Sequence, residues 1–293
     1  MRPTDPTDLG RKGPKEIHVL TTLIERQMET RIVVIGQSNA RALLDGYECM
    51  VRDRPERPGA AEVTVVMKRP KDLAINSWGP DGHQRRIEPH TMSEVLTQIG
   101  PTHVVLMWGG NQMNLRAMLA TGPPFDVILP PALGEADYAP DSVLVPCAAV
   151  VAYVRNRFDG NAELGDVLAT TGPLNAKCLF LAPPPPLPGT AVRERLRDEA
   201  HFIRVMKELG VDAATVKLVP DAVRQKLWVL LISTYQALAA EQDSAFLPPP
   251  AGTTDAHGML DERFWGVDAT HASAEYGMRY MDEVLSWAGV PTP

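Results

Sequence analysis

The sequence predicts an α/β fold in which helices cover both faces of a mainly parallel β-sheet. Four short apolar segments bounded by turn residues are typical of strands buried on both sides, and they are residues 32–35, 62–68, 102–108 and 177–182. Segments with helical periodicity lie between and after them. Alternating strands and helices form right-handed βαβ units, which bury a parallel sheet between two helical layers.

The helices follow from apolar residues that recur at helical spacing. These patterns cover residues 39–50, 91–100, 141–158, 191–210, 221–242 and 272–289. An earlier pattern places five apolar residues on one stripe, namely Ile17, Leu20, Leu23, Ile24 and Met28. We therefore predict an N-terminal extension over residues 1–30 with one amphipathic helix, followed by a single domain over residues 31–293. This helix either covers the sheet or mediates a dimer, and the sequence favours neither.

Composition restricts the partners of the chain. The 293 residues carry a formal net charge of −7, whereas nucleic acid and anionic membranes require clustered Lys and Arg. A neutral or small substrate is therefore favoured. The N-terminus lacks the apolar core of a secretory signal, and no segment offers about 18 uninterrupted apolar residues, so we predict a cytoplasmic protein without a membrane partner. The three cysteines are too few and too irregularly spaced for a disulfide framework or a zinc site, and we expect no metal or cofactor.

Proline-rich segments mark the predicted loops. The chain has 27 prolines, and they cluster within residues 121–140, 182–189 and 246–255. Because each segment follows a strand or precedes the final helix, the loops are expected at the carboxyl edge of the sheet, where open α/β proteins bind ligands. The alternative is that the prolines only stiffen connections.

A serine stands where the first predicted strand changes into a helix, in the stretch Gly36-Gln37-Ser38-Asn39. This position puts the Ser38 hydroxyl at the carboxyl edge of the sheet, with the positive end of a helix dipole behind it, which suits a nucleophile. The alternative is that Ser38 only caps the helix, since serine is a preferred N-cap residue.

Two further stretches bring polar side chains to the same region. The third predicted strand runs into Gly109-Gly110-Asn111-Gln112, where Asn111 is either functional or a turn residue. Asp268 and His271 stand three residues apart before the last helix, a spacing that lets a carboxylate hold one imidazole nitrogen while the other faces a hydroxyl. The alternatives for this pair are a metal site and a simple Asp N-cap.

The three stretches together resemble the SGNH hydrolase family, also called the GDSL esterases, in residue content and in order. The matching segments span residues 31–286. The resemblance implies a flavodoxin-like three-layer α/β/α sandwich with a mainly parallel sheet of about five strands. It departs from the commoner pattern at Gln37 and at Gln112, where the family usually has Asp. The Gln37 form is similar to the branch that includes carbohydrate acetyl esterases.

The resemblance also implies the roles of the site residues. Ser38 would attack an ester carbonyl, His271 would take its proton, and Asp268 would hold the imidazole tautomer. The backbone N–H groups of Ser38 and Gly79 and the side-chain amide of Asn111 would form the oxyanion hole, and Gly82 is the alternative to Gly79.

The implied activity is hydrolysis of short O-acyl esters, in particular acetyl esters on a carbohydrate or a small molecule. The alternatives are an O-acyltransferase that uses the same acyl-enzyme and a catalytically silent binding module. Gln37, Trp108 and Trp265 are candidate substrate contacts, although core packing explains both tryptophans equally well. His83 and His90 are expected on a polar surface loop, and the alternative is that they line the pocket. His257 is not expected to be the base. The oligomeric state is left open.

Overall fold

The computed structural model describes residues 30–56, 61–69, 72–79, 84–85, 91–109, 118–134, 137–197, 199–212 and 215–291. The predicted amphipathic helix of the N-terminal extension therefore lies outside the described residues. Thr30, which was assigned to that extension, already belongs to the first strand.

Nine strands and eight α-helices occur in the described residues. The strands are β1 (Thr30–Gly36), β2 (Ala61–Lys68), β3 (Leu73–Trp78), β4 (Gln84–Arg85), β5 (His103–Met107), β6 (Phe125–Ile128), β7 (Val143–Pro146), β8 (Lys177–Leu181) and β9 (Ala245–Leu247). The helices are α1 (Ala40–Asp53), α2 (Met92–Ile99), α3 (Cys147–Asp159), α4 (Ala162–Thr171), α5 (Gly189–Leu196), α6 (Ala200–Glu208), α7 (Asp221–Glu241) and α8 (Ala274–Trp287). Short 3-10 helices cover Pro131–Leu133 and Glu262–Phe264.

The main sheet has the strand order β4-β3-β2-β1-β5-β8-β9 within the described residues. The five strands from β2 to β9 in this order run parallel, and β3 is antiparallel to β2. Because the chain leaves β1 toward β2 and later returns to β5 on its other side, the carboxyl ends of β1 and β5 form a topological switch point. Gly36 pairs with Met107 at this point.

Both faces of the sheet are covered by helices. Side chains that alternate along β1 point to opposite layers: Val34 packs in the cluster that contains α1 and α8, and Val33 packs in the cluster that contains α2 and α4. This alternation follows from the two-residue period of a strand. The predicted three-layer α/β/α architecture with about five parallel strands is confirmed, and β3 and β4 extend the sheet by an antiparallel edge.

The predicted helix over residues 141–158 is wrong in its first part. Val143–Pro146 forms β7, which pairs in parallel with β6 in a separate two-stranded sheet, and the helix begins only at Cys147. Proline lacks a backbone N–H and is tolerated where a helix starts, so Pro146 separates the two elements. The apolar pattern continued across this residue and concealed the boundary.

The predicted helix over residues 191–210 is divided into α5 and α6. Glu199 has an extended backbone between them, and its side chain accepts a hydrogen bond from the Ala269 N–H at 3.3 Å. The break between α5 and α6 therefore coincides with a contact to the loop that contains Ala269. The spacing of apolar residues in the sequence does not indicate such a contact.

A buried ion pair fastens the segment that contains β6 and β7 to helix α7. Lys226 Nζ lies 2.8 Å from Asp126 Oδ1, with 6% and 2% of the two side chains exposed. The ammonium also donates to the Asp137 carbonyl at 2.9 Å, and the carboxylate accepts from the N–H groups of Val127 and Ala139. Burial raises the pKa of Asp126, but Lys226 and the two N–H groups outweigh this effect and lower it.

Helices α1 and α8 cross at two buried glycines. A Cβ atom on Gly277 would overlap the Ala42 carbonyl oxygen, and one on Gly46 would overlap the backbone at Met278. Larger residues are therefore excluded from both positions, and the two backbones pack in direct contact. No helix in the described part of the chain is both long and apolar enough to cross a membrane.

Replacing Gly277 by Ala is expected to lower the free energy of unfolding by at least about 2 kcal/mol, because the added methyl group forces the two helices apart. The matched control is Gly165→Ala in α4, where a Cβ would have no neighbour within 4 Å. This control should gain up to about 1 kcal/mol, since alanine favours a helix over glycine. Urea unfolding followed by circular dichroism measures both, and equal stability of the two variants would contradict the close-contact explanation.

Candidate active site

The turn between β1 and α1 carries the predicted nucleophile. Two hydrogen bonds of 3.0 Å close this turn, from the Ala40 N–H to the Gln37 carbonyl and from the Arg41 N–H to the Ser38 carbonyl. The residue at the N-cap position of α1 is Asn39, so the structure does not place Ser38 there. Ser38 is exposed at the carboxyl edge of the sheet, as predicted.

Asn39 connects this turn to the end of β5. Its side chain is buried, and Nδ2 donates to the Gly109 carbonyl at 2.9 Å. Gly109 has a φ of +82°, and a Cβ atom there would overlap the Tyr235 hydroxyl, so glycine is required. The segments that follow β1 and β5 are therefore held together, which the sequence stretch around Asn39 did not reveal. Asn111 itself lies outside the described residues, and its predicted role remains a prediction.

Asp268 and His271 form the hydrogen-bonded pair that their spacing predicted. Nδ1 of His271 lies 2.6 Å from Asp268 Oδ2. The other carboxylate oxygen accepts from the backbone N–H groups of Thr270 and His271, each at 2.8 Å, and from the Thr270 hydroxyl at 3.2 Å. The helix after this loop has Ser273 as its N-cap residue, so Asp268 does not cap it. The carboxylate is instead used to hold the imidazole.

The environment of Asp268 keeps its carboxyl group ionised. Burial alone would raise the pKa, but the hydrogen bond and positive charge of His271 and the two backbone N–H groups lower it to about 2. A carboxylate of this kind stabilises a protonated imidazole and fixes the tautomer of a neutral one.

One cavity joins the three predicted catalytic residues. Ser38, Asp268 and His271 line a cavity of about 820 Å³, together with Trp265. The Trp265 indole is anchored by its Nε1–H, which donates to the Leu260 carbonyl at 2.7 Å. The structure therefore brings the predicted nucleophile, the predicted base and one predicted substrate contact to the same opening.

Gln37 and Trp108 line a different cavity. This second cavity measures about 220 Å³ and is also lined by Tyr153 and Tyr235. Trp108 is 5% exposed and packs in the core cluster of α2 and α4, which agrees with the alternative of core packing. Consecutive residues 37 and 38 thus contribute to two neighbouring cavities, and the two substrate contacts predicted at Gln37 and Trp108 lie outside the cavity of Ser38.

Gly79 does not lie where the family resemblance placed an oxyanion donor. Met67 of β2 pairs with Gly36 at the carboxyl edge of the sheet. Trp78 instead pairs with Val63. Val63 precedes Met67 by four residues, or about 13 Å along β2. Gly79 follows Trp78 and therefore lies at the opposite edge of the sheet. The assignment is wrong because the chain enters β3 by an antiparallel connection, which the short motif did not indicate.

The remaining candidates do not add to the site. Gly82, His83 and His90 lie outside the described residues. His257 is exposed, and its backbone N–H donates to Asp255 Oδ1 at 2.8 Å in a turn. Among the residues that the structure describes, no cluster of three or more His, Cys, Asp or Glu side chains is placed to hold a metal ion.

Comparisons with known proteins gave structural neighbours only. No protein-family model matches the chain. No curated protein matches it significantly.

Three solved structures illustrate the structural similarity. The first is a protein of the DUF4886 family from Bacteroides uniformis, with 8% identity, a TM-score of 0.47, and coverage of 89% of this chain and 82% of that one. The second is a GDSL-like lipase from Bacteroides thetaiotaomicron, with 12% identity, a TM-score of 0.40 and coverage of 94% and 95%. The third is Est24, a carbohydrate acetylesterase from Sinorhizobium meliloti, with 13% identity, a TM-score of 0.40 and coverage of 89% and 98%.

The low pKa of Asp268 predicts a measurable effect of pH on stability. Its folded-state pKa lies below the unfolded value of about 3.9, so its contribution is complete above about pH 4 and is lost as the pH falls toward 2. We expect the free energy of unfolding of the native protein to exceed that of Asp268→Asn by up to about 2 kcal/mol at pH 6. This difference should shrink between pH 4 and 2 in urea titrations, and a difference that does not change with pH would contradict it.

Proposed function

We propose that this protein is a serine esterase of the SGNH hydrolase type that hydrolyses short O-acyl esters through Ser38, His271 and Asp268. The observation that carries this proposal is the hydrogen-bonded Asp268–His271 pair in the same cavity as Ser38, at the carboxyl edge of a parallel sheet. The order of the three residues along the chain agrees with the family resemblance of the sequence.

The geometry of the pair defines the role of each group in this proposal. Because Nδ1 of His271 is hydrogen-bonded to Asp268, the proposal assigns proton transfer to Nε2. His271 Nε2 takes the Ser38 proton as Oγ bonds to the ester carbonyl carbon. The imidazolium that forms is stabilised by the ionised Asp268, and it then protonates the departing alkoxide as the ester C–O bond breaks.

The acyl-enzyme is resolved by water in the second half of the proposed reaction. His271 deprotonates the water, whose oxygen attacks the acyl carbon, and the proton returns to Ser38 as the acid is released. The Ser38 N–H and the Asn111 amide are the proposed donors to the oxyanion, since Gly79 lies at the other edge of the sheet. Trp265 lines the cavity, and aromatic side chains pack well against sugar rings, which supports an acetylated carbohydrate as the finer proposal.

Replacing Ser38 by Ala should lower kcat/KM for a short aryl acetate by at least about 10³-fold, because the nucleophile is removed. The matched control is Ser286→Ala, an exposed serine of α8 outside this cavity, which should keep full activity. A fluorophosphonate probe should label Ser38 in the native protein, detected as a mass increase on its peptide. Equal hydrolysis by the two variants would reject Ser38 as nucleophile.

Replacing Asn111 by Ala should lower kcat by about 10² to 10³-fold with little change in KM, because an oxyanion donor acts mainly on the transition state. The unfolding midpoint should stay within experimental error of the native value. Loss of folded structure in the circular dichroism spectrum would instead assign Asn111 a role in the stability of the fold.

A further inference from the structure

The cavity that contains Ser38 is basic although the whole chain is acidic. Among its described lining residues are four basic side chains, Arg41, Lys68, Arg69 and Arg195, and only two acidic ones, Asp45 and Asp268. The complete chain has a formal net charge of −7. A cleft lined by one sign of charge concentrates ligands of the opposite sign, whatever the net charge of the protein.

Two of the four cations are neutralised within the fold. Arg41 Nε lies 2.7 Å from Asp45 Oδ1, one turn further along α1. Lys68 Nζ lies 2.5 Å from Glu163 Oε1 on α4. These two side chains therefore add little to the potential in the cavity.

The other two cations, Arg69 and Arg195, have no carboxylate within ion-pair distance among the residues that the structure describes. Arg69 is exposed directly after β2, at the edge of the sheet where β1 ends at Gly36. Arg195 comes from α5 on the side of the loop that carries Asp268. Within the described part of the chain, their positive charge is thus not compensated by an ion pair.

The guanidinium of Arg195 is held in place before any ligand binds. It lies 5.2 Å from the centroid of the Trp265 ring, and it donates to the carbonyls of Gly266 at 3.3 Å and Ala191 at 3.2 Å. These two bonds use two of the five N–H donors of an arginine. The remaining donors form a planar fork of the kind that binds carboxylate and phosphate oxygens in pairs.

We infer that the ester hydrolysed at this site carries an anionic group, a carboxylate or a phosphate, which Arg69 and Arg195 bind. This inference rests on the proposed esterase function and replaces the expectation of a neutral substrate, which was drawn from the net charge of the chain. The anionic group lies on a part of the substrate other than the reacting ester, because the reacting carbonyl must reach Ser38.

The test compares three aryl acetates that differ in the charge of one substituent. They are methyl 4-acetoxybenzoate, which is neutral, 4-acetoxybenzoate, which carries a carboxylate, and 4-acetoxyphenyl phosphate. At low ionic strength kcat/KM for at least one anionic ester should exceed that for the neutral ester by about tenfold, as expected for a charge-assisted hydrogen bond. The advantage should shrink as salt is raised to about 0.5 M, because salt screens exposed charges. The two anionic esters distinguish a carboxylate from a phosphate.

Substitutions of Arg69 and Arg195 test whether these two residues cause the preference for anionic esters. Arg69→Gln and Arg195→Gln should each reduce the ratio of anionic to neutral kcat/KM by about three- to tenfold, and Arg195→Lys should restore part of the ratio. The control is Arg197→Gln, an exposed arginine at the end of α5 that does not line the cavity, which should leave the ratio unchanged. Each variant is judged by its ratio of anionic to neutral kcat/KM. Differences in leaving-group reactivity between the esters are the same for every variant and cancel when these ratios are compared. A general loss of activity on removal of the Arg195 contact to Gly266 lowers both values and cancels within the ratio.

The outcomes separate this inference from the proposed function. Hydrolysis of the neutral ester that depends on Ser38 but shows no preference for either anion overturns the inference and leaves the esterase proposal intact. A preference that survives both arginine substitutions also overturns it. Absence of hydrolysis of all three esters overturns the esterase proposal and the inference together.

Discussion

The direct backbone contact between α1 and α8 is the constraint on which the candidate site depends. Ser38 precedes α1 and His271 precedes α8, so the crossing of these helices at Gly46 and Gly277 brings the chain segments that carry both residues together. Nothing larger than glycine fits at the crossing. The relative position of Ser38 and His271 therefore depends on the packing of two helix backbones in the apolar layer. Neither Ser38 nor His271 belongs to that contact.

The site combines local and long-range contributions. The Asp268–His271 pair is formed within four residues and is supported by the N–H groups of its own loop. The relation of that loop to the rest of the cavity depends instead on residues distant in sequence, since Arg195 and Glu199 both bond to its backbone. The hydrogen bond with Asp268 orients the imidazole of His271. The contacts of Arg195 and Glu199 hold its loop in position relative to the sheet.

The sequence predicted the features that follow from periodicity and short spacing. The four buried strands, the three-layer architecture and the Asp268–His271 pair all depend on residues a few positions apart. Gly79 was placed wrongly because strand direction depends on pairing between distant segments, and the N-terminal part of residues 141–158 was misassigned because its apolar run suits a strand as well as a helix. The charge of the cavity was also missed, because Arg69 and Arg195 come from separate elements and the summed charge of the chain has the opposite sign.

The buried pair of Lys226 and Asp126 attaches the small second sheet to α7 by charge in a setting closed to water. Exchange of either side chain alone leaves an uncompensated ion there, which costs far more than the pair itself contributes. The attachment therefore requires both side chains together, although they lie 100 residues apart in the sequence. Loss of either side chain alone is therefore expected to weaken the attachment of the whole segment to α7.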